Sequence, residues 1–312
     1  VALALLLVAA GIALLTVSGD RLVDLAAALG LKARMRPAVV GLTIVAAGTS
    51  LPELFVSVAS ALSGSPAIAM ANVVGSNTAN IGLVLGLCAL VAPVPVQPKL
   101  LRFEYPFMLL ASWITLLLCR DATLDRLEAG FFLASMVAFL AFSVWAARAA
   151  LDDTPDSHGL GLARRPAWVL CAGMAAALVG LAIGAQLLVS GAITIAARLG
   201  IPERIIGLTV VAVGTSLPEL TASLAASLKG HPDMAVTNVV GSNIFNLLMI
   251  LGTAGLVRPL AVTQHLVSID LWVMFGIALA LFPLVFRASR LSRIGGAALV
   301  ACYVAYLAFG LR

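Results

Sequence analysis

The segment GLTIVAAGTSLPELFVSVASALSGSPAIAMANVVGSNTAN begins at Gly41, and GLTVVAVGTSLPELTASLAASLKGHPDMAVTNVVGSNIFN begins at Gly207. Residues 41–80 align with 207–246 without a gap, so the chain carries one structural unit twice, 166 positions apart. Each copy sets a carboxylate directly after a proline, Glu53 after Pro52 and Glu219 after Pro218, in runs otherwise suited to lipid. Of the 312 residues, 62% are hydrophobic and 11% charged, with a mean hydropathy of +1.11, which no ordinary soluble domain matches.

Ten apolar runs are long enough to cross a bilayer core as helices: 1–19, 38–62, 67–92, 103–119, 127–148, 166–190, 204–228, 233–257, 266–286 and 294–311. They are continuous and rich in Leu and Ala, whereas barrel strands alternate apolar and polar residues. The first run has no basic residue ahead of it and no A-x-A boundary, and it reads as a span instead of a cleaved signal. The expected fold is therefore an all-α polytopic membrane protein with ten transmembrane helices in two five-helix repeats. The repeats cover 1–150 and 166–312, joined by a short polar linker, 151–165. Five spans is an odd number, so the second copy enters the membrane in the opposite direction and the repeats are inverted. With both termini outside, thirteen of the nineteen Lys and Arg residues fall in inside segments and six outside, which favours that orientation and a cytoplasmic linker.

Glu53 is the only charged residue between Arg36 and Lys99, and Glu219 the only one between Arg204 and Lys229. A charge at bilayer depth costs about 2.5 to 3.5 kcal/mol on insertion scales, and neither span holds a Lys, Arg or His to pair it. Pro52 and Pro218 disturb the carbonyls of Gly48 and Gly214, and such freed carbonyls are tolerated where backbone lines a cavity or binds ions. Thr49, Glu53 and Ser57 share a helix face at four-residue spacing, as do Thr215, Glu219 and Ser223, and Ser50 and Ser216 can join them. Asn72, Ser76 and Asn80 form a second stripe, matched by Asn238, Ser242 and Asn246. Every ligand offered is oxygen, which suits a hard cation such as Ca²⁺ or Na⁺ and not zinc or copper.

Several polar residues have simpler readings. Asn72 and Asn238 stand near the starts of their spans, where capping or interhelical bonding is the default. Asn77 and Asn243 point off the stripe and are expected to bond between helices, while Gly75 and Gly241 allow close packing. Glu104 and Asp270 sit near span ends and read as solvated at the interface, and Trp113, Trp145, Trp168 and Trp272 as interface anchors. Cys88, Cys119, Cys171 and Cys302 show no metal or redox spacing and read as packing residues. The net charge of +5 comes from scattered loop residues and builds no nucleic-acid face.

The paired GTSLPEL segments, each followed by NVVGSN and a further Asn, resemble the two signature repeats of the calcium/cation antiporter superfamily, in particular its prokaryotic sodium/calcium exchanger branch. The resemblance implies a ten-helix exchanger in a prokaryotic plasma (inner) membrane, surrounded by lipid, with one chain as the functional unit and no cofactor. It implies ligands at Thr49, Ser50, Glu53, Ser76 and Asn80, at Thr215, Ser216, Glu219, Ser242 and Asn246, and carbonyls at Ala47 and Val213. It further implies that the first and sixth helices slide past the other eight. Some members carry Asp at the position of Asn80 or Asn246; both are amides here, which leaves the sodium count open and weighs against potassium co-transport. The short linker lacks the calcium-sensing domain of animal exchangers.

Exchange of calcium for sodium by alternating access is the leading expectation, with protons as the rival counter-ion because a buried carboxylate can take up a proton when its cation leaves. A cation channel would use the carboxylates as a selectivity ring, but two inverted copies enclose a site more readily than they build a symmetric pore. An intramembrane hydrolase using Ser50 or Ser216 lacks a base in the motif spans, so no enzyme is expected.

Overall fold

In lipid, a backbone satisfies its polar groups by coiling on itself, and the computed structural model, which describes residues 2–33, 35, 37–149, 160–200, 212–286 and 289–310, is helical nearly throughout. Among the described residues, seven helices are long and apolar enough to cross a membrane: Ala2–Lys32, Pro66–Val91, Pro98–Asp121, Arg126–Ser143, Ala167–Arg198, Pro232–Val257 and Leu266–Phe286. An eighth crossing is the pair Gly41–Thr49 and Leu51–Leu62, bent by 48°. The last expected span is the shorter helix Arg293–Gly310. Of the span expected at 204–228, residues up to 211 lie outside the described set, and the remainder forms Ala212–Thr215 and Leu217–Leu228. Most of the linker, 151–159, lies outside it as well.

Two helices exceed their expected bounds. The first does not stop at residue 19 but runs 31 residues to Lys32, and the sixth does not stop at 190 but runs 32 residues to Arg198. At 1.5 Å per residue each is about 46 to 48 Å long, beyond a hydrocarbon core of about 30 Å. Asp20, Arg21 and Asp24 thus lie within the helix and not beyond its end. The two helices pack antiparallel along small residues: Gly191 lies against Ala4 and Val8, Gly184 against Gly11 and Leu15, Gly180 against Ser18, and Gly173 against Leu25.

The large core joins both copies, with Val73, Val74 and Ile81 packed in one cluster with Val239, Val240 and Leu247. A smaller cluster gathers Leu15, Leu22 and Val23 with Met174, Leu181 and Ala222. Two short antiparallel ribbons also cross between the copies, Val94–Pro95 with Arg290–Leu291 and Thr123–Leu124 with Leu260–Ala261. Lys229, at the end of the Leu217–Leu228 helix, ties it to the Ala2–Lys32 helix by donating to Asp24 Oδ1 (2.7 Å) and the Asp20 carbonyl (2.9 Å).

One reading of a lone residue changes. Trp113 lies within the helix Glu104–Leu118 and packs against Trp272 and Phe275, with ring centroids 6.1 and 5.2 Å away. Glu104 is 9% exposed, and its Oε2 has no hydrogen-bond partner, so water at the interface does not solvate it freely. Its repeat mate Asp270 accepts from Tyr306 Oη (2.8 Å) and bonds His265 Nδ1 (2.9 Å).

Candidate cation site

The repeated spacing within each copy builds a break in the helix first. Helix Ala46–Thr49 ends at Ser50 (φ −85°, ψ 3°), and Ala212–Thr215 is followed by Ser216 with nearly the same backbone (φ −89°, ψ 6°). Pro52 and Pro218 therefore do not sit inside a continuous helix. They occupy the first turn of Leu51–Leu62 and Leu217–Leu228, where a missing N–H leaves no bond unmade. Gly48 and Gly214 serve close approach instead of distortion, since a Cβ there would run into Leu178 and Val189 of the Ala167–Arg198 helix.

The break turns the motif residues of one copy toward the other. Ser50 Oγ donates to Glu219 Oε1 (3.1 Å), with Thr49 beside it on the same carboxylate. Thr49 Oγ1 also lies 3.3 Å from the Ala46 carbonyl and 3.5 Å from Ser242 Oγ, which itself reaches that carbonyl at 3.5 Å. The backbone N–H of Ser50 bonds Ala46 O too (3.1 Å), so protein donors gather on Ala46, one residue before Ala47. Ala47 is part-buried in the same turn; Val213 lies on the matching helix Ala212–Thr215, its side chain outside the described residues. Thr215 is part-buried, and Ser76, Asn80, Ser216 and Asn246 are 0 to 3% exposed.

Both glutamates are 0% exposed. Among the described residues, eleven buried side-chain oxygens lack a hydrogen-bond partner, and seven belong to expected ligands: both of Glu53 and one each of Ser76, Asn80, Ser216, Glu219 and Asn246. An unsatisfied buried polar atom costs about 1 to 3 kcal/mol, more when charged, and such atoms are few in native proteins. Their concentration on the motif residues, with no Lys, Arg or His between Arg36 and Lys99 or between Arg204 and Lys229, fits an all-oxygen seat for a cation.

Two members of the expected stripes do other work. Ser57 accepts from Asn72 Nδ2 (2.9 Å), which also reaches the Glu53 carbonyl (3.2 Å), and Ser223 accepts from Asn238 Nδ2 (2.9 Å). These pairs tie each helical hairpin together, as expected of the two asparagines. Gly241 packs against Leu42 and Ala46, while a Cβ on Gly75 would meet no described atom within 4 Å, so close packing holds for one copy. Sequence reading missed that Asn80 and Asn246 each open a π-helical turn, Asn80–Leu85 and Asn246–Ile250. Such wide turns often occur at functional sites, and no sequence signal marks them.

A multi-pass helical protein whose two copies close around a buried, two-carboxylate oxygen cluster is a membrane cation transporter. The family pattern described as sodium/calcium exchanger protein matches residues 3–145 and 169–312. CaxA of Alkalimonas amylolytica is 37% identical over 309 residues, covering 97% of each chain. The sodium/calcium exchanger MaX1 of Methanosarcina acetivorans is 31% identical over 338 residues, covering 95% of each. The solved structure of the sodium-calcium exchanger NCX_Mj superposes with a TM-score of 0.84 at 29% identity, covering 99% of this chain and 98% of that one. The chain belongs to the sodium/calcium exchanger family, a family of multi-pass membrane antiporters that transport ions and not a class of enzymes.

Ser50 offers the mildest test of the geometry. Ser50→Ala removes a hydrogen bond to a charged group, about 1.5 to 3 kcal/mol, and is expected to weaken cation binding about tenfold or more. Calorimetric titration of the purified protein with calcium reads the change; an unaltered constant would detach this hydroxyl from the site.

Proposed function

We propose that this protein is a secondary active transporter exchanging calcium for sodium by alternating access. In this reading the ions are held at mid-membrane between the repeats by Glu53, Glu219 and the Thr, Ser and Asn residues at 49, 50, 76, 80, 215, 216, 242 and 246, with the carbonyls of Ala47 and Val213 as further donors. The observation that carries the reading is the group of seven buried, unpartnered oxygens drawn from both copies. Calcium takes six to eight oxygen ligands, and two carboxylates balance its charge. Sodium draws on the same oxygens, so the two cations compete and one carrier serves both. That MaX1 and NCX_Mj are sodium/calcium exchangers by name supports the choice of ions.

The same proposal has ten spans in two inverted repeats, 1–150 and 166–312. A ribbon forms only between loops on one side of the membrane. The ten-span scheme puts six spans between Val94–Pro95 and Arg290–Leu291 and four between Thr123–Leu124 and Leu260–Ala261, both even numbers. The antiparallel seam of Ala2–Lys32 with Ala167–Arg198 supports the inversion. The loop-charge bias supports both termini outside and 151–165 in the cytoplasm, in a prokaryotic inner membrane.

The experiment is uptake of radiolabelled calcium into sodium-loaded proteoliposomes diluted into sodium-free buffer, beside matched vesicles carrying only a pH gradient. Sodium-dependent uptake is expected. Uptake driven by the pH gradient alone would reassign the counter-ion to protons, and no uptake under either gradient would remove calcium as the cargo.

A further inference from the structure

Four buried asparagines, Asn77, Asn80, Asn243 and Asn246, form a closed set of bonds across the two copies. Asn77 Nδ2 donates to the main-chain carbonyl of Asn243 (3.3 Å), and Asn243 Nδ2 donates to that of Asn77 (3.2 Å). Asn80 Nδ2 donates to Asn243 Oδ1 (3.0 Å), and Asn246 Nδ2 donates to Asn77 Oδ1 (3.0 Å).

The orientation of all four amides follows from the carbonyls. A main-chain carbonyl only accepts, so the atom of Asn77 facing Asn243 O must be its nitrogen, and its other terminal atom is the oxygen. An oxygen needs a donor opposite, which makes the facing atom of Asn246 a nitrogen and turns its oxygen the other way. The same steps run from Asn243 to Asn80. In agreement, Asn80 Oδ1 and Asn246 Oδ1 are the two amide oxygens of this set of four left without partners, each at the start of a π-helical turn.

We propose that Asn77 and Asn243 are positioning residues of the cation site, each holding the amide of the opposite copy's ligand so that its oxygen faces the ion. The proposal rests on Asn80 and Asn246 being ligands. It explains why this chain has amides at both positions: the carboxylate of Asp could not donate to the oxygen opposite it, and two facing oxygens repel. The pairing is crossed, Asn77 with Asn246 and Asn243 with Asn80, so each half of the chain sets a ligand of the other.

The test is a double-mutant cycle on apparent calcium affinity in the proteoliposome uptake assay. Asn77→Leu and Asn246→Ala are each expected to weaken affinity about tenfold, Asn77→Leu with maximal rate little changed. On top of Asn246→Ala, Asn77→Leu should add less than about twofold, because its partner is gone; on top of Asn80→Ala it should add its full effect. A full effect in the Asn246→Ala background, or a loss of maximal rate at unchanged affinity, would overturn the positioning role while leaving the ligands in place. Unchanged affinity in Asn246→Ala alone would instead overturn the ligand assignment, and the positioning role with it. If Asn77→Leu gives no folded protein, the mirror cycle of Asn243→Ser with Asn80→Ala carries the same expectations.

Discussion

Glu53→Gln and Glu219→Gln are each expected to lower calcium transport at least about a hundredfold, because a buried ion loses a charged partner it cannot replace with water. The change is nearly isosteric, so shape is kept while charge is removed. Glu53 should be the more damaging of the two, since neither of its carboxylate oxygens is engaged, whereas Glu219 already accepts from Ser50. Stability moves the other way. Without ions both carboxyl oxygens of Glu53 and one of Glu219 lack partners, so removing either charge costs the ion-free fold nothing and in calcium-free buffer either variant should melt at or above the temperature of the parent. Calcium should then raise the melting temperature of the parent and not of the variants, since a ligand stabilises only the fold that binds it. Undiminished transport in either variant would remove the carboxylate pair from the mechanism.

Gly241→Ala should do comparable harm through packing alone. A Cβ there would overlap the Leu42 carbonyl and come within 2.8 Å of Ala46 Cβ. Backbone cannot rotate away as a side chain can, so the helix Pro232–Phe245 must move off the Gly41–Val45 turn, at a cost of about 1 to 3 kcal/mol. The displaced neighbour is Ala46, whose carbonyl takes Ser242, Thr49 and the Ser50 backbone. Transport is expected to fall about tenfold or more, together with a lower melting temperature. Gly276→Ala, at a position where no described atom lies within 4 Å, should leave both within experimental error. Equal behaviour of the two variants would mean that this contact does not shape the site.

The motif residues were legible because membrane depth makes polarity conspicuous. Glu53, Thr49 and Ser50 stand out from leucine and valine, and repetition at Glu219, Thr215 and Ser216 doubles the signal. The helix ends were less legible, since Asp20 and Asp24 close the apolar run while the helix continues past them. Ser57 and Ser223 illustrate a different limit. Four-residue spacing put them on the glutamate face, but the nearby Asn72 and Asn238 decide what they touch. Nor can sequence show the two-residue ribbons or the π-helical turns, which depend on which distant segment lies alongside.

The asparagine cross-bonds constrain how the protein is made. Asn77 enters the membrane early, yet its amide partners, Asn243 and Asn246, are translated more than 160 residues later. An amide left unmatched in hydrocarbon costs several kcal/mol. Until the second copy arrives, the first therefore has reason to stay near the translocation machinery or a chaperone instead of dispersing into lipid. A chain truncated after residue 150 would expose Glu53, Asn77 and Asn80 with no counterpart, and quality control would meet it as an unfinished protein, not as half of a working one.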